Sequence, residues 1–385
     1  MDLTISRRTI DGDWSEPLPE WDSPSTLVQV YGPASLIEDP SPLEEIGLLY
    51  PNSIIVGCSG AGIVIDDQIS DSQIVVSVTR FEKVRLSVVF DSVSRSTDQT
   101  EIGKDIANKL LKQDKAVSGV LLFATGEGMD GDALGQGIDL IDNATISQVG
   151  GGVAGSLPDE NGVFGTTWVL DANHTPAEGV ISAVGFSGDR LIFENAAKGG
   201  WKPLGPERVV TRADEHTVYE IDGQPALDLY KQYLGDKAVE LPAIASIFPL
   251  TTRPQTGGEK DWAPAGVLSV DENTKSLLLT RKISDGAPTQ MLRGYAGDLF
   301  EAAEDAAIEL KPSDDIKQLV IVTSCLGRRV KLGSRTADEL SSVRQALPDG
   351  IGMVGFYGMG EFSTTPSTTC QLYNYTMTLA LIAER

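Results

Sequence analysis

The run VLLFATGEGMDGDALGQGIDLI, Val120 to Ile141, followed by ISQVGGGVAG, Ile146 to Gly155, decides the fold class. The apolar stretch Val120 to Ala124 suits a buried strand and is too short for a helix. Leu134, Ile138 and Ile141 then recur at the spacing of one helix face, and a second strand-like run ends in Gly150, Gly151 and Gly152. Strand, polar loop, helix, strand and glycine turn in succession describe a mixed α/β unit.

The same order returns in LVIVTSCLGRRVKLGSRTADELSSVRQAL, Leu319 to Leu347, and GMVGFYGMGEF, Gly352 to Phe362. The glycine turn is echoed a third time at Ile54-Ile55-Val56-Gly57. Duplication of one unit explains the echo, so Val120–Gly155 and Leu319–Glu361 are expected to superpose. Outward from them, Ile74 to Val78 and Val84 to Phe90 lie too close for a helix between them and read as antiparallel strands. Helices are expected from the stripe Ile102, Ile106 and Leu110, and from Leu227, Tyr230 and Leu234 with Gly235 as cap. A further stripe runs Leu292, Tyr295, Leu299, Ala303 and Ala306, and Thr336 with Glu339 forms a capping-box pattern. The expected architecture is α+β: two related, pseudo-duplicated domains with mixed or largely antiparallel sheets flanked by helices. Residues 1–24, with Trp14 and Trp21, read as an extended leader, 25–222 as a first domain and 223–385 as a second.

The composition narrows the function. A net charge of -24 and the absence of a basic, aromatic-interleaved patch disfavour nucleic acid and anionic membranes as partners. Neither a signal peptide nor a membrane-spanning run is read, and three scattered cysteines suit a reducing compartment, so a cytoplasmic location is expected. Gly126-x-Gly128-x-x-Gly131 has the spacing of a dinucleotide loop, but Glu127, Asp130 and Asp132 put negative charge where a pyrophosphate would sit. His174 and His216 lack the spacing of a zinc site, so neither a metal nor another cofactor is expected.

Cys325 follows a buried strand and is trailed by Arg328 and Arg329, which suits either a thiolate or an ordinary core cysteine. No histidine is placed to serve as its base, so a binding protein is expected rather than an enzyme. A Cys-dependent hydrolase and a protein-interaction scaffold are the alternatives. Glu361 and Arg328 would suit the two ends of a zwitterion, or would tie two loops by pairing with each other.

At Val56-Gly57-Cys58, Gly151-Gly152 and Gly200-Trp201-x-Pro203-x-Gly205-Pro206 the sequence resembles the FIST (F-box and intracellular signal transduction) family. The resemblance continues through Val218-Tyr219-Glu220-Ile221-Asp222-Gly223, Cys325-x-Gly327-Arg328, Gly355-Phe356-Tyr357-Gly358-x-Gly360-Glu361 and Asn374-Tyr375-Thr376. It implies an intracellular sensory module of two consecutive domains that binds a small polar ligand, such as an amino acid or derivative, as input to signal transduction. No output segment is read, so a separate signalling protein is the expected partner. Motif positions and local chemistry together nominate Gly57, Cys58, Glu127, Gly151, Gly152, Cys325, Arg328, Tyr357, Gly360, Glu361 and Asn374 as ligand-binding residues.

Overall fold

A computed structural model describes residues 1–94, 97–126, 129–141, 145–158, 164–252, 263–313, 315–364 and 369–385. The chain begins with β1 (Asp2–Thr9), β2 (Thr26–Gly32), α1 (Ser41–Leu49), β3 (Ile54–Ser59), the hairpin β4 (Ile63–Ile65) and β5 (Gln68–Ser70), and β6 (Gln73–Arg80). It continues with β7 (Arg85–Ser92), α2 (Gln99–Gln113), β8 (Val117–Ala124), α3 (Gly131–Asp139), β9 (Gln148–Val153), β10 (Val169–Leu170), β11 (Pro176–Ala177), β12 (Val180–Ser187) and β13 (Leu191–Lys198). An inserted unit follows: β14 (Trp201–Asp214), β15 (Thr217–Ile221), β16 (Gln224–Pro225), α4 (Ala226–Leu234), β17 (Leu250–Thr252), β18 (Ala263–Ala265), β19 (Val267–Asp271), β20 (Ser276–Leu279) and β21 (Pro288–Gly294). The chain closes with α5 (Ala296–Glu309), β22 (Gln318–Cys325), α6 (Leu326–Leu332), α7 (Thr336–Ala346), β23 (Gly352–Gly358), β24 (Gly360–Ser363), β25 (Gln371–Tyr373) and β26 (Met377–Glu384).

The two echoing segments do form the same strand, helix, strand unit, and a third copy joins them. Each copy is built on a parallel pair, β2–β3, β8–β9 or β22–β23, with an antiparallel strand, β6, β12 or β26, on its other side. The copies interlock cyclically. The hairpin β4–β5 of the first extends the sheet of the third, β10–β11 of the second extends the first, and β24–β25 of the third extends the second. The strand leaving each copy is exchanged too, β7 pairing with β12 and β13 with β26. β1 completes the cycle beside β6, and the ammonium of Met1 meets Glu384 at 3.2 Å.

Alternation along the strands builds the layers. Tyr31, Leu121, Phe123, Ile321 and Phe356 point into a shared central core, where the rings of Tyr31 and Phe356 stack at 5.6 Å and Tyr31 meets Phe123 edge-on at 6.0 Å. Val30, Leu122 and Val322 face outward into separate layers, two of which are covered by α2 with α3 and by α5 with α7.

One glycine recurs in register in all three copies: Gly57 opposite Val30, Gly151 opposite Leu122, Gly355 opposite Val322. A Cβ there would lie 1.9, 2.1 and 1.8 Å from the neighbouring carbonyl oxygen, so only glycine lets the strands pair. Alanine at any of the three is expected to cost at least about 1–3 kcal/mol, the range for overpacking a core. Urea denaturation of the single variants measures it.

Three expectations change. The leader is not merely extended, because β1 lies within residues 1–24; Trp14 and Trp21 then pack beside the outer layer of the first copy. The stripe from Leu292 splits, since Leu292 pairs with Pro203 in β21 and the helix starts only at Ala296. Glu339 does not complete a capping box. Its side chain is fully buried against Arg328, while the Thr336 hydroxyl donates to the Gly333 carbonyl.

Candidate functional site

Each of the three copies has an equivalent strand end: Pro33 after β2, Thr125 after β8 and Cys325 closing β22. At the second lies a cleft of about 560 Å³, lined by Val93, Ser94, Thr125, Gly126, Phe164 to Thr167, Glu178, Gly179 and Met359. Register shows why it is open there. Ala183 of β12 lies between Leu122 and Val89, as Leu379 of β26 lies between Val322 and Ala196. Counting on from these pairs, Gly179 corresponds to Tyr375, Ser94 to Trp201 and Gly126 to Leu326. Gly179 and Tyr375 even share a φ of 64°.

In the third copy, therefore, a phenol and an indole fill the volume that glycine and serine leave empty in the second. The Tyr375 and Trp201 rings meet edge-on at 4.9 Å, and the Trp201 Nε1–H donates to the Tyr375 carbonyl at 3.0 Å. In the first copy, Trp168 is fully buried and its Nε1–H donates to the Pro33 carbonyl at 3.0 Å.

Apart from Glu127, the residues nominated from the sequence fall into three groups. Gly57, Cys58, Gly151, Gly152 and Gly360 lie inside the sheets; a Cβ on Gly152 would meet Thr323 Cγ2 at 2.5 Å, and one on Gly360 would meet Leu372 Cδ1 at 2.9 Å. Their close approaches are to neighbouring strands and side chains. Burial pushes the Cys58 thiol well above its usual range. Glu127 is outside the described residues, although Gly126 before it lines the cleft.

Arg328 and Tyr357 belong to a buried network. The Arg328 guanidinium meets Glu339 at 2.5 Å through Nη2 and 2.7 Å through Nε, and also donates to the carbonyls of Gly199, Leu299 (2.8 Å) and Tyr375 (3.3 Å). The Tyr357 hydroxyl donates to Glu339 at 2.8 Å and Ser324 does so at 3.3 Å. Arg328 thus pairs with Glu339 instead of Glu361.

Cys325, Glu361 and Asn374 gather at the closed strand end of the third copy. The Thr376 N–H and hydroxyl donate to Glu361 Oε2 at 3.2 and 2.8 Å, and the Cys325 thiol lies beside the same carboxyl. Oε1 has no hydrogen-bond partner of ordinary geometry. Burial raises the Glu361 pKa to about 8, against the lowering effect of Thr376 and Cys325 and the field of Arg328. The Cys325 thiol is raised well above its usual range by burial and then by Glu361. Asn374 accepts from the Thr280 hydroxyl at 2.7 Å, joining this end to the inserted unit.

The acidic loop also finds its cations on that unit, Asp132 meeting Arg281 at 2.9 Å and Asp130 meeting Lys282 at 3.2 Å. Of the cleft residues, Thr125 and Gly179 carry no motif in the sequence, and Gly126 is read there only as part of a dinucleotide-like spacing. Their signal is a difference between copies, visible once the chain is aligned on Gly57, Gly151 and Gly355. Among the described residues no helix is long and apolar enough to cross a membrane, and no cluster of three or more His, Cys, Asp or Glu is arranged to hold a metal.

Among curated proteins the chain is 26% identical over 194 residues to the uncharacterized proteins Mb0898c of Mycobacterium bovis and Rv0628c of Mycobacterium tuberculosis. The match covers 48% of this chain and 49% of each relative, so the chain spans about half the length of the curated relatives it matches. Solved structures similar to it include a chorismatase (11% identity, TM-score 0.37, 99% of this chain and 98% of that one). Another is a cyanuric acid hydrolase from A. caulinodans (8% identity, TM-score 0.35, 100% of this chain and 99% of that one). The FIST N domain model matches residues 26–224 and the FIST C domain model residues 226–364, and the chain belongs to the FIST family of sensory domains of signal transduction.

Proposed function

We propose that this protein is a sensor whose input is a small polar ligand, an amino acid or a derivative of one, bound in the cleft at the end of β8. The observation that carries this reading is the replacement of Tyr375 and Trp201 by Gly179 and Ser94, which leaves one strand end open while its partner in the third copy is filled. The volume is in the range of small-molecule sites. Glu178 at the rim takes a ligand ammonium; the hydroxyls of Thr125 and Thr166 face its polar atoms, and Val93, Phe164 and Met359 its apolar part. Binding without catalysis is supported by a buried, high-pKa Cys325 and by the engagement of His216 with the Leu279 carbonyl.

The test is calorimetric titration of an amino-acid panel against the wild type, Glu178→Gln and Gly126→Leu. Gly126→Leu installs the third copy's residue; its Cβ crowds the flexible Met359 side chain at 2.9 Å and makes ordinary contacts with the Ala154 carbonyl and Val153 at 3.6 Å. A ligand of the wild type that loses affinity at least about tenfold, about 1.4 kcal/mol, in both variants is expected. Undiminished binding in both folded variants would place the site elsewhere.

A further inference from the structure

We propose that the third copy holds a second ligand site, closed in this structure, with Trp201 and Tyr375 as its lid, Glu361 as its counter-charge and a small organic ammonium as its ligand. It is separate from the cleft of the second copy and does not depend on that cleft being occupied.

The volume is the first argument. The two rings stand at the positions whose counterparts, Ser94 and Gly179, border an open cleft. Tyr375 holds its place with a φ of 64°, a left-handed conformation uncommon for a bulky residue and native to the glycine it replaces. Its ring fits only because Gly327 and Gly266 face it, where a Cβ would lie 2.4 Å from Cε1 and 2.8 Å from the hydroxyl respectively.

The chemistry is the second argument. Beneath the lid the third copy departs from its siblings, placing Glu361 where the first has Ile63 and the second Val169. Glu361 is fully buried, and its Oε1 has no hydrogen-bond partner of ordinary geometry. The charged and titratable groups facing it are the Cys325 thiol of β22, the Tyr375 phenol and Arg328 of α6. Arg328 is held by Glu339 and three carbonyls, so it does not come to Oε1. A compact ammonium takes the place of the proton that burial keeps on this carboxyl and brings donor and positive charge together, and the Trp201 indole that stays behind when the phenol leaves is a surface that attracts such cations. In the native protein the site opens as the Tyr375 ring leaves Gly327 at the joint with the inserted unit.

The experiment titrates ethylammonium into the wild type, Tyr375→Gly and the double variant Tyr375→Gly/Glu361→Gln, each first shown to be folded by circular dichroism. Tyr375→Gly is expected to bind at least tenfold more tightly than the wild type, because the lid no longer has to be displaced. The double variant should lose that gain. No binding to folded Tyr375→Gly, or binding that the Glu361 change leaves untouched, overturns the proposal. If Tyr375→Gly does not fold, Tyr375→Asn, whose backbone also accepts the left-handed region, carries the same titration.

Discussion

Replacing Arg328 by alanine is expected to destabilise the protein by about 3–5 kcal/mol, the usual cost of stranding one member of a buried ion pair. Both side chains of the Arg328–Glu339 pair are fully buried. Without the guanidinium, Glu339 keeps only the hydroxyls of Tyr357 and Ser324, and the carbonyls of Gly199 and Leu299 lose a donor. Lysine cannot restore the forked geometry, so Arg328→Lys should recover only part of the loss. Urea denaturation measures both. Were Arg328 a ligand contact, the alanine variant would instead lose affinity while keeping its unfolding midpoint.

Glu361→Gln should change how stability depends on pH. The folded carboxyl titrates near pH 8, against an ordinary value of 4.5, so between those two pH values the folded state holds a proton that the unfolded state has released. Stability therefore falls as pH rises through this window, by up to about 1.4 kcal/mol per pH unit from this one group. Glutamine has no proton to lose. Relative to the wild type, the variant should gain stability steadily from pH 5 to pH 8, read from urea midpoints at matched ionic strength. Parallel pH curves for the two proteins would mean that Glu361 is not held protonated by its surroundings.

What the sequence made legible follows from the range of the interactions involved. The strand, helix, strand units at Val120 and Leu319 were readable because aliphatic runs and helix stripes are local patterns. The first copy showed only its Ile54–Gly57 turn. Among the described residues none ahead of β2 form a helix like α2 or α5, and the Trp14 and Trp21 segment packs in the outer layer of the first copy. β1 was invisible because its partner, β6, lies some seventy residues on and its role in the cycle depends on β26 at the other end of the chain.

The candidate site divides in the same way. Cys325, Glu361 and Asn374 stand in three separate motifs among the nominated residues, and the structure brings them to one strand end. The opposed charges of Arg328 and Glu361 suggested a zwitterion or a mutual pair; burial decides otherwise, because Glu339 on α7 reaches Arg328 first. The cleft itself is a missing side chain, and a missing side chain is legible only against the copy that has it.

The most direct test of this account is a crystal structure grown with the member of the amino-acid panel that binds most tightly. The ligand is expected in the cleft at the end of β8, within hydrogen-bonding distance of Thr125 or Thr166 and with its ammonium toward Glu178. A ligand seated elsewhere, with Gly126, Gly179 and Met359 bordering an empty cleft, would contradict it.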